Sequence, residues 1–435
     1  MLFFLFWSNS FIVFARSYSL SDCIDYALKN RYDLKAYDIE DCNKQLDVKS
    51  QKYKFSPTLS ANINNGLSQG YQQVFTEDAA GIYQSVQSYS NSAAISLSLP
   101  LWSAEAQRAL VKVRELDRQQ NLADKANREF SVKLEIISCY YTLLVARENY
   151  NVAKSNYVSQ DSVVSNTAKL HEIGKSSKRD LLDARTNLMQ YKQDMAAQAY
   201  EVEKAEAALI EIMQFDSDSI EISSIDSLPM LPGFEEIYSV TIDNHPALKA
   251  KRIEISALET ENKACRRQLY PSIYFNYELG TSSQFLQGQI NRPASDQWGG
   301  NFHQNANISI SIPIFSQLAI RNNIKKNEFS RAASENEANR LKRQIYDDLK
   351  VIHLDLSHTY ELYDLAAQTE AMSGEQVRYA AHSYSLGLLP SYELEIYRQK
   401  HTSAQRQAIK AKYEWLYKVE VLHAYLKLSE NGSRL

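Results

Sequence analysis

Glycine and proline are scarce in this chain, 12 and 9 among 435 residues, and neither occurs in residues 101–173, 175–228, 314–373 or 391–431. These two residues punctuate secondary structure most strongly, so a gap of 73 residues predicts a helix that no small globular domain contains. At about 1.5 Å per residue it would run on the order of 100 Å. A surplus of positive charge is also missing: 48 Lys and Arg stand against 52 Asp and Glu, which gives no basic field for nucleic acid. The four cysteines, Cys23, Cys42, Cys139 and Cys265, have neither metal-ligand nor disulfide-framework spacing. They read as free, buried thiols, with Cys23 and Cys42 on one helix. No GxSxG motif or phosphate loop occurs, and His353 and His358 lack the spacing of a helical metal pair. An enzyme is not expected, and neither is a cofactor.

After the first 15 residues, no stretch approaches the ~18 to 20 apolar residues of a spanning helix. That first stretch is apolar apart from Ser8, Asn9 and Ser10, and it ends in small residues at Ala15 and Ser17. It predicts a signal peptide over 1–17, although no Lys or Arg precedes Arg16. If this protein crosses a membrane, it does so with strands.

What is present is a repeat. Asn30, Leu34, Ala36 and Pro57 recur 214 positions later as Asn244, Leu248, Ala250 and Pro271. Further on the offset is 213: SLSLPLW at Ser96 matches SISIPIF at Ser309, and Gly174 and Asp180 match Gly387 and Glu393. The organisation read from this is a first repeat over 18–213, a linker rich in Ser, Asp and Pro over 214–235, a second repeat over 236–428, and a tail over 429–435. Each repeat reads as helix, strand, loop, strand, very long helix, tight turn, helix.

Strands are expected at 57–67, 91–101, 271–281 and 305–315, with polar loops at 68–90 and 282–304. Ile95, Leu97 and Leu99 alternate with small or polar residues, as do Ile308, Ile310 and Ile312. That is the signature of one apolar and one polar face. Each segment has the length of a tilted membrane strand. Four strands are too few to close a barrel of about eight or more, and open edges are forbidden in lipid, so a membrane role demands oligomerisation.

The final helix of the first repeat carries an a/d seam: Ala184, Leu188, Tyr191, Met195, Gln198, Val202, Ala205, Leu209 and Ile212. The second repeat keeps the phase from Tyr397 through His401, Ala404, Ala408, Ala411, Trp415, Lys418 and Leu422 to Tyr425. Narrow seams with polar flanks suggest helices laid side by side around a hollow, without a shared globular core.

With these features in place, the chain resembles the TolC family of outer-membrane efflux proteins over residues 18 to about 428. The resemblance rests on the duplication, on the AxxNxxDLKA-like opening at Ala27–Ala36 with its echo at Asn244–Ala250, and on two turns. These read HEIGKSSKRDLLDA at 171–184 and YSLGLLPSYELEIY at 384–397. It implies a mainly α fold with β: a tandem-repeat long α-helical barrel with four transmembrane strands per chain, completing a barrel of twelve strands in a homotrimer. It also implies a passive efflux or secretion duct in the outer membrane of a Gram-negative bacterium, surrounded by outer-membrane lipid and reaching into the periplasm. Its partners would be a periplasmic adaptor and an inner-membrane transporter, without nucleic acid. The alternative is a periplasmic coiled-coil scaffold or adaptor with no transport activity.

The resemblance also assigns a tip. Gly174, Lys175, Ser176, Gly387, Leu388 and Leu389 would meet the adaptor, while Asp180, Asp183, Tyr384 and Glu393 would form the gate, with Tyr384 hydrogen-bonding across the repeats. Leu389 stands where relatives carry an arginine, and Ile396 replaces a second acid, so the gate would be wired differently. Asp180 reads equally as a favourable charge at a helix start, and Asp183 as a capping or solvated residue.

Overall fold

Both halves of the chain run through one succession of elements. In the first, α1 (Leu20–Asn30) and α2 (Tyr32–Tyr53) lead to β1 (Thr58–Thr76), β2 (Ala79–Pro100), α3 (Ala104–Glu172) and α4 (Lys178–Met213). The second has α5 (Phe234–Asn244), α6 (Pro246–Arg267), β3 (Ser272–Leu286), a short α7 (Ala294–Gly300), β4 (His303–Ser311), α8 (Gln317–Ser385) and α9 (Ser391–Leu426). This computed structural model describes residues 17–76, 79–102, 104–216, 219–223, 233–288, 290–315, 317–386 and 388–428. The expected leader up to Arg16, residues 224–232 of the expected linker, Gly387 of the second turn and the tail 429–435 lie outside the described residues. Among those described, no helix is long and apolar enough to cross a membrane.

The sparse glycine and proline have the predicted effect: α3 and α8 each run 69 residues, and α4 and α9 each run 36. Gly374 is tolerated within α8 because a Cβ there would stand 3.2 Å from Cε1 of His401, whose Nδ1 sits 2.9 Å from Ser373 Oγ. The first helix is shorter than expected. Arg31 leaves the helical region (ψ 131°) and separates α1 from α2, so Cys23 and Cys42 lie on different helices. All four cysteines are free, but only Cys23 is buried, and Cys42 is exposed. Burial, together with the nearby Asp22 charge, pushes the Cys23 thiol up to about 12.

The chain divides into two compact units, each built from both halves. One comprises 39–122 and 250–338 and contains a four-stranded antiparallel sheet in the order β1-β2-β3-β4. The alternation sorts as expected. Leu59, Ile63, Ile95, Ile308 and Ile310 are large, exposed and share one face, while Ser98 Oγ donates to Asn276 Oδ1 (2.8 Å) on the other. Ion pairs and amide contacts fasten the helices of this unit, with Arg118 reaching Asp41 at 2.7 Å and Gln51 reaching Gln107 at 2.7 Å.

The loops are where expectation fails. Residues 68–76 and 79–90 are strand, with Gln69 opposite Gln87, Tyr71 opposite Ser85 and Gln73 opposite Tyr83. Polar residues on both faces hid these strands, because alternation is visible only where one face is apolar. β4 stops at Ser311, two residues before Pro313, which cannot donate to a ladder. Beyond His303, β3 stays paired with β2 but has no β4 partner on its other side, and there amide side chains from the β3–β4 connection take its backbone groups. Asn291 bridges both the N–H and the carbonyl of Leu286 (2.8 Å each), Gln297 Oε1 accepts from Gln284 N (2.8 Å), and Asn301 Nδ2 donates to Ser282 O (2.7 Å).

The other unit comprises the described residues of 1–38, 123–249 and 339–435. These helices do share a core that the narrow seams did not predict: Cys23, Ile136, Tyr140, Leu143, Leu209, Met213 and Leu416 pack into one cluster that joins α1, α3, α4 and α9. A second cluster joins Ile237, Leu248, Ile345, Leu349 and Leu422. The α4 seam points inward throughout, with Ala184, Leu188, Ala205 and Leu209 buried. Two polar members of the α9 seam are satisfied by α8: His401 meets Ser373, and Lys418 Nζ reaches Asp355 at 2.8 Å.

Candidate functional site

The two turns of this second unit carry the residues singled out in the sequence. In the first, Gly174 adopts φ +73°, a value that favours glycine, and the N–H groups of Gly174 and Lys175 return to the carbonyls of His171 (3.0 Å) and Leu170 (2.8 Å), closing α3. His171 Nδ1 donates to Ser176 O (2.9 Å), and Ser177 then starts α4. The N–H of Asp180 donates to Ser177 Oγ and the N–H of Ser177 to Asp180 Oδ2, both at 3.1 Å, a reciprocal capping box. These contacts with Ser177, side chain before backbone, hold the Asp180 carboxyl below the usual carboxylate range. Glu393 occupies the same third position of α9, after Pro390, and there Tyr392 Oη donates to its Oε1 at 3.1 Å. No contact joins Asp180 to Glu393 among the described residues of one chain.

Asp183 and Tyr384, in contrast, come together. Both line a cavity of about 220 Å³ with Gln160, Ala184, Glu395 and Arg398. Asp183 is exposed and pairs loosely with Arg179 at 3.7 Å, and Tyr384 is half-buried with no side-chain hydrogen bond among the described residues. The cavity's polar frame is built largely by residues without a sequence signal. Arg398 Nη1 donates to Gln160 Oε1 (2.9 Å), Gln160 Nε2 donates to Ala184 O (3.1 Å), and Tyr191 Oη donates to Glu395 Oε1 (2.8 Å). Burial, and then the Glu395 charge, push the Tyr191 hydroxyl well above its ordinary range. One turn beyond Tyr191, Asp194 meets Arg406 at 2.5 Å. Apart from the bond to Ala184, each of these contacts joins α9 of the second half to α3 or α4 of the first. Of these residues, only Ala184 and Tyr191 were named from the sequence, as members of the α4 seam.

At the outer end, Gly174 and Lys175 are exposed and Ser176 is half-buried. Leu388 is 77% exposed, while Leu389 turns partly inward. The first turn thus exposes a lysine and the second a leucine. Among the described residues, no group of three or more His, Cys, Asp or Glu is placed to hold a metal ion.

The family model described as "Outer membrane efflux protein" matches residues 23–213 and 237–426. The chain belongs to the outer membrane efflux protein family. That family consists of outer-membrane channels for efflux rather than enzymes. Its fold is shared with solved structures. CusC, in work on folding and transmembrane channel formation, superposes with a TM-score of 0.77 at 14% identity, covering 94% of this chain and 91% of that one. The Campylobacter jejuni CmeC outer membrane channel gives 0.76 at 17%, covering 95% and 88%. The open state of the Neisseria gonorrhoeae MtrE channel gives 0.73 at 17%, covering 94% and 88%. No curated protein matches the sequence.

Proposed function

We propose that this chain is one subunit of a trimeric, passive efflux or secretion duct, whose strands complete a barrel in the outer membrane and whose helix tips open in the periplasm against an adaptor and an inner-membrane transporter. The observation that carries this reading is the four-stranded sheet with an exposed apolar face and two unpaired outer strands, β1 and β4. Lipid accepts the apolar face, but it accepts no open edge. Three copies supply twelve strands and leave no edge.

In this reading Gly174, Lys175, Ser176, Leu388 and Leu389, together with Gly387, form the adaptor surface. Asp183 and Tyr384 sit on the gate cavity, while Asp180 and Glu393 serve first as helix-start charges. Carboxylates gathered around a threefold axis attract cations in a partly dehydrated constriction. Opening is then a population shift toward the state the adaptor binds better.

Mass measurement in detergent and single-channel recording test the proposal together. A trimer that conducts in planar bilayers is expected, and a monodisperse monomer in detergent-free buffer would return the scaffold reading. Asp183→Asn should weaken block by trivalent cations added on the tip side, and Asp180→Asn should weaken it less, because that carboxylate is engaged by Ser177. The reverse order would move the gate to the capping residue.

A further inference from the structure

The sheet's polar face carries one charge-bearing pair. Across β1, β2, β3 and β4, the only Asp, Glu, Lys, Arg or His residues are Glu278 and His303. They sit on neighbouring strands and on the same face: Glu278 is opposite Ser96 on one side and Asn305 on the other, and His303 is opposite Gly280. His303 Nε2 stands 3.8 Å from Glu278 Oε1, and Ser96 Oγ donates to Glu278 Oε2 at 3.2 Å.

The pair has a built geometry. A Cβ on Gly280 would lie 3.0 Å from both Cε1 and Nε2 of His303, so the ring crosses β3 through the space that glycine leaves. His303 Nδ1–H donates to the Asn301 carbonyl at 3.1 Å. The proton that the ring gains on acidification therefore goes to Nε2, the nitrogen that faces Glu278. The other titratable groups on the strands are tyrosines, of which Tyr274 shares this face, and Arg292 and Asp296 fall in the β3–β4 connection.

We infer that Glu278 sets the charge preference of the barrel lumen for cationic solutes and that His303 neutralises it when protonated. The inference rests on the proposed barrel, in which the polar face lines the lumen and three copies of the pair form one ring. With neutral histidines the ring carries three negative charges, and with protonated histidines none. Rings of acidic side chains select cations in other channels. Histidine gains its charge on acidification, so the preference fades as pH falls.

Asn305→Cys places a thiol opposite Glu278, and its modification by a cationic and an anionic methanethiosulfonate, read by peptide mass spectrometry on the detergent-solubilised full chain, reports the local potential. The ratio of the two rates cancels the thiolate fraction. At about pH 8 the cationic reagent should lead severalfold, and at about pH 5.5 the ratio should fall toward unity. Glu278→Gln should bring the ratio to unity at the higher pH and let the anionic reagent lead at the lower, where the protonated His303 is no longer offset, and His303→Gln should keep the preference at both. Gly280→Ala, which displaces the ring, should flatten the pH dependence while keeping the preference at the higher pH. The reversal potential in a KCl gradient across planar bilayers should follow the same order. A rate ratio indifferent to Glu278, or a reversal potential that ignores it, overturns the inference. The barrel reading fails separately, if Ile310→Cys on the opposite face reacts in intact outer membranes as readily as Asn305→Cys.

Discussion

Arg31 and His245 occupy equivalent positions, 214 residues apart, and both end a helix with an extended ψ and an N–H returned to the preceding turn. Their side chains solve the same burial in opposite ways. Arg31 donates twice to Asp33 (2.9 and 2.8 Å) and once to the carbonyl of Ile212 (2.7 Å), and Arg128 adds a third bond to Asp33 at 2.9 Å. The Arg31 bonds foremost, with Arg128 beside them, hold the Asp33 carboxyl far below its usual range. In the second half Ala247 replaces that aspartate, and His245 packs edge-on against Phe130, 5.6 Å between centroids, with its Nδ1 unpartnered. Burial lowers the His245 pKa to about 4. The unfolded chain therefore binds a proton that the folded chain refuses between about pH 6.5 and 4, so stability falls as pH drops through that window, by roughly 3 kcal/mol at its lower end. His245→Phe should remove that part of the acid sensitivity, and thermal melting of the two proteins at a series of pH values will show whether the curves converge. Asp33 acts in the same direction but lower on the scale, since its contribution is present above the ordinary carboxylate pKa and lost only as pH falls through the depressed folded value. The AxxNxxDLKA-like motif was legible in the sequence as a repeat marker. Its role as an ionic anchor to α3 and α4 was not, because partners 95 and 181 residues away leave no local signal.

At the scale of elements, helices were the most legible because their punctuation is explicit, and the seam placed the buried side of α4 correctly but that of α9 only in part: Ala404, Ala408 and Leu422 are buried, whereas Tyr397 is exposed and Tyr413, Leu416, Val419 and Val421 are buried off the seam. Sheet faces were legible wherever isoleucine or leucine alternated with serine. The upper parts of β1 and β2 were not, since glutamine, serine and tyrosine on both faces are what a solvated loop also contains. In the candidate site, the turn sequences point to Asp183 and Tyr384, whereas the Gln160–Arg398 and Tyr191–Glu395 bonds depend on how helices from different halves are apposed. The strand faces give a direct test. Ile310 is 62% exposed on the apolar face, whereas Ser309 lies on the polar one, 3.0 Å from Asn276 Nδ2. Ile310→Arg should cost about 2 to 4 kcal/mol near the bilayer midplane and impair membrane assembly, while Ser309→Arg should assemble normally. Heat-resistant oligomer in outer-membrane fractions measures both, and equal yields would reverse the assigned faces.

On the scale of the molecule, each unit takes strands or helices from both halves of the duplication, so neither half has a unit to itself. Stability is distributed unevenly along α3. Its buried residues crowd between Phe130 and Ala153, where Ile136, Tyr140 and Leu143 are fully enclosed, and thin out toward Glu172, where most side chains are exposed. Amide exchange should therefore be slowest near residues 130–146 and much faster over 161–172, consistent with local opening where few apolar contacts exist. Uniform protection along the helix would show that the tips are as firmly held as the clustered region.

The amide side chains that cover the edge of β3 bear on how such chains find one another. An uncovered strand edge is a template for any passing strand, including a wrong one. Here the template ends at His303, because beyond it Asn291, Gln297 and Asn301 already take the backbone groups between Ser282 and Leu286. A second molecule adding to this side is offered only the nine residues of β4, although the β1 it would bring is nineteen residues long. In the proposed barrel, the short tract fixes where pairing starts and stops, so the register between subunits would be written into one chain before a neighbour arrives, and sliding or runaway polymerisation along that edge would lose its footing.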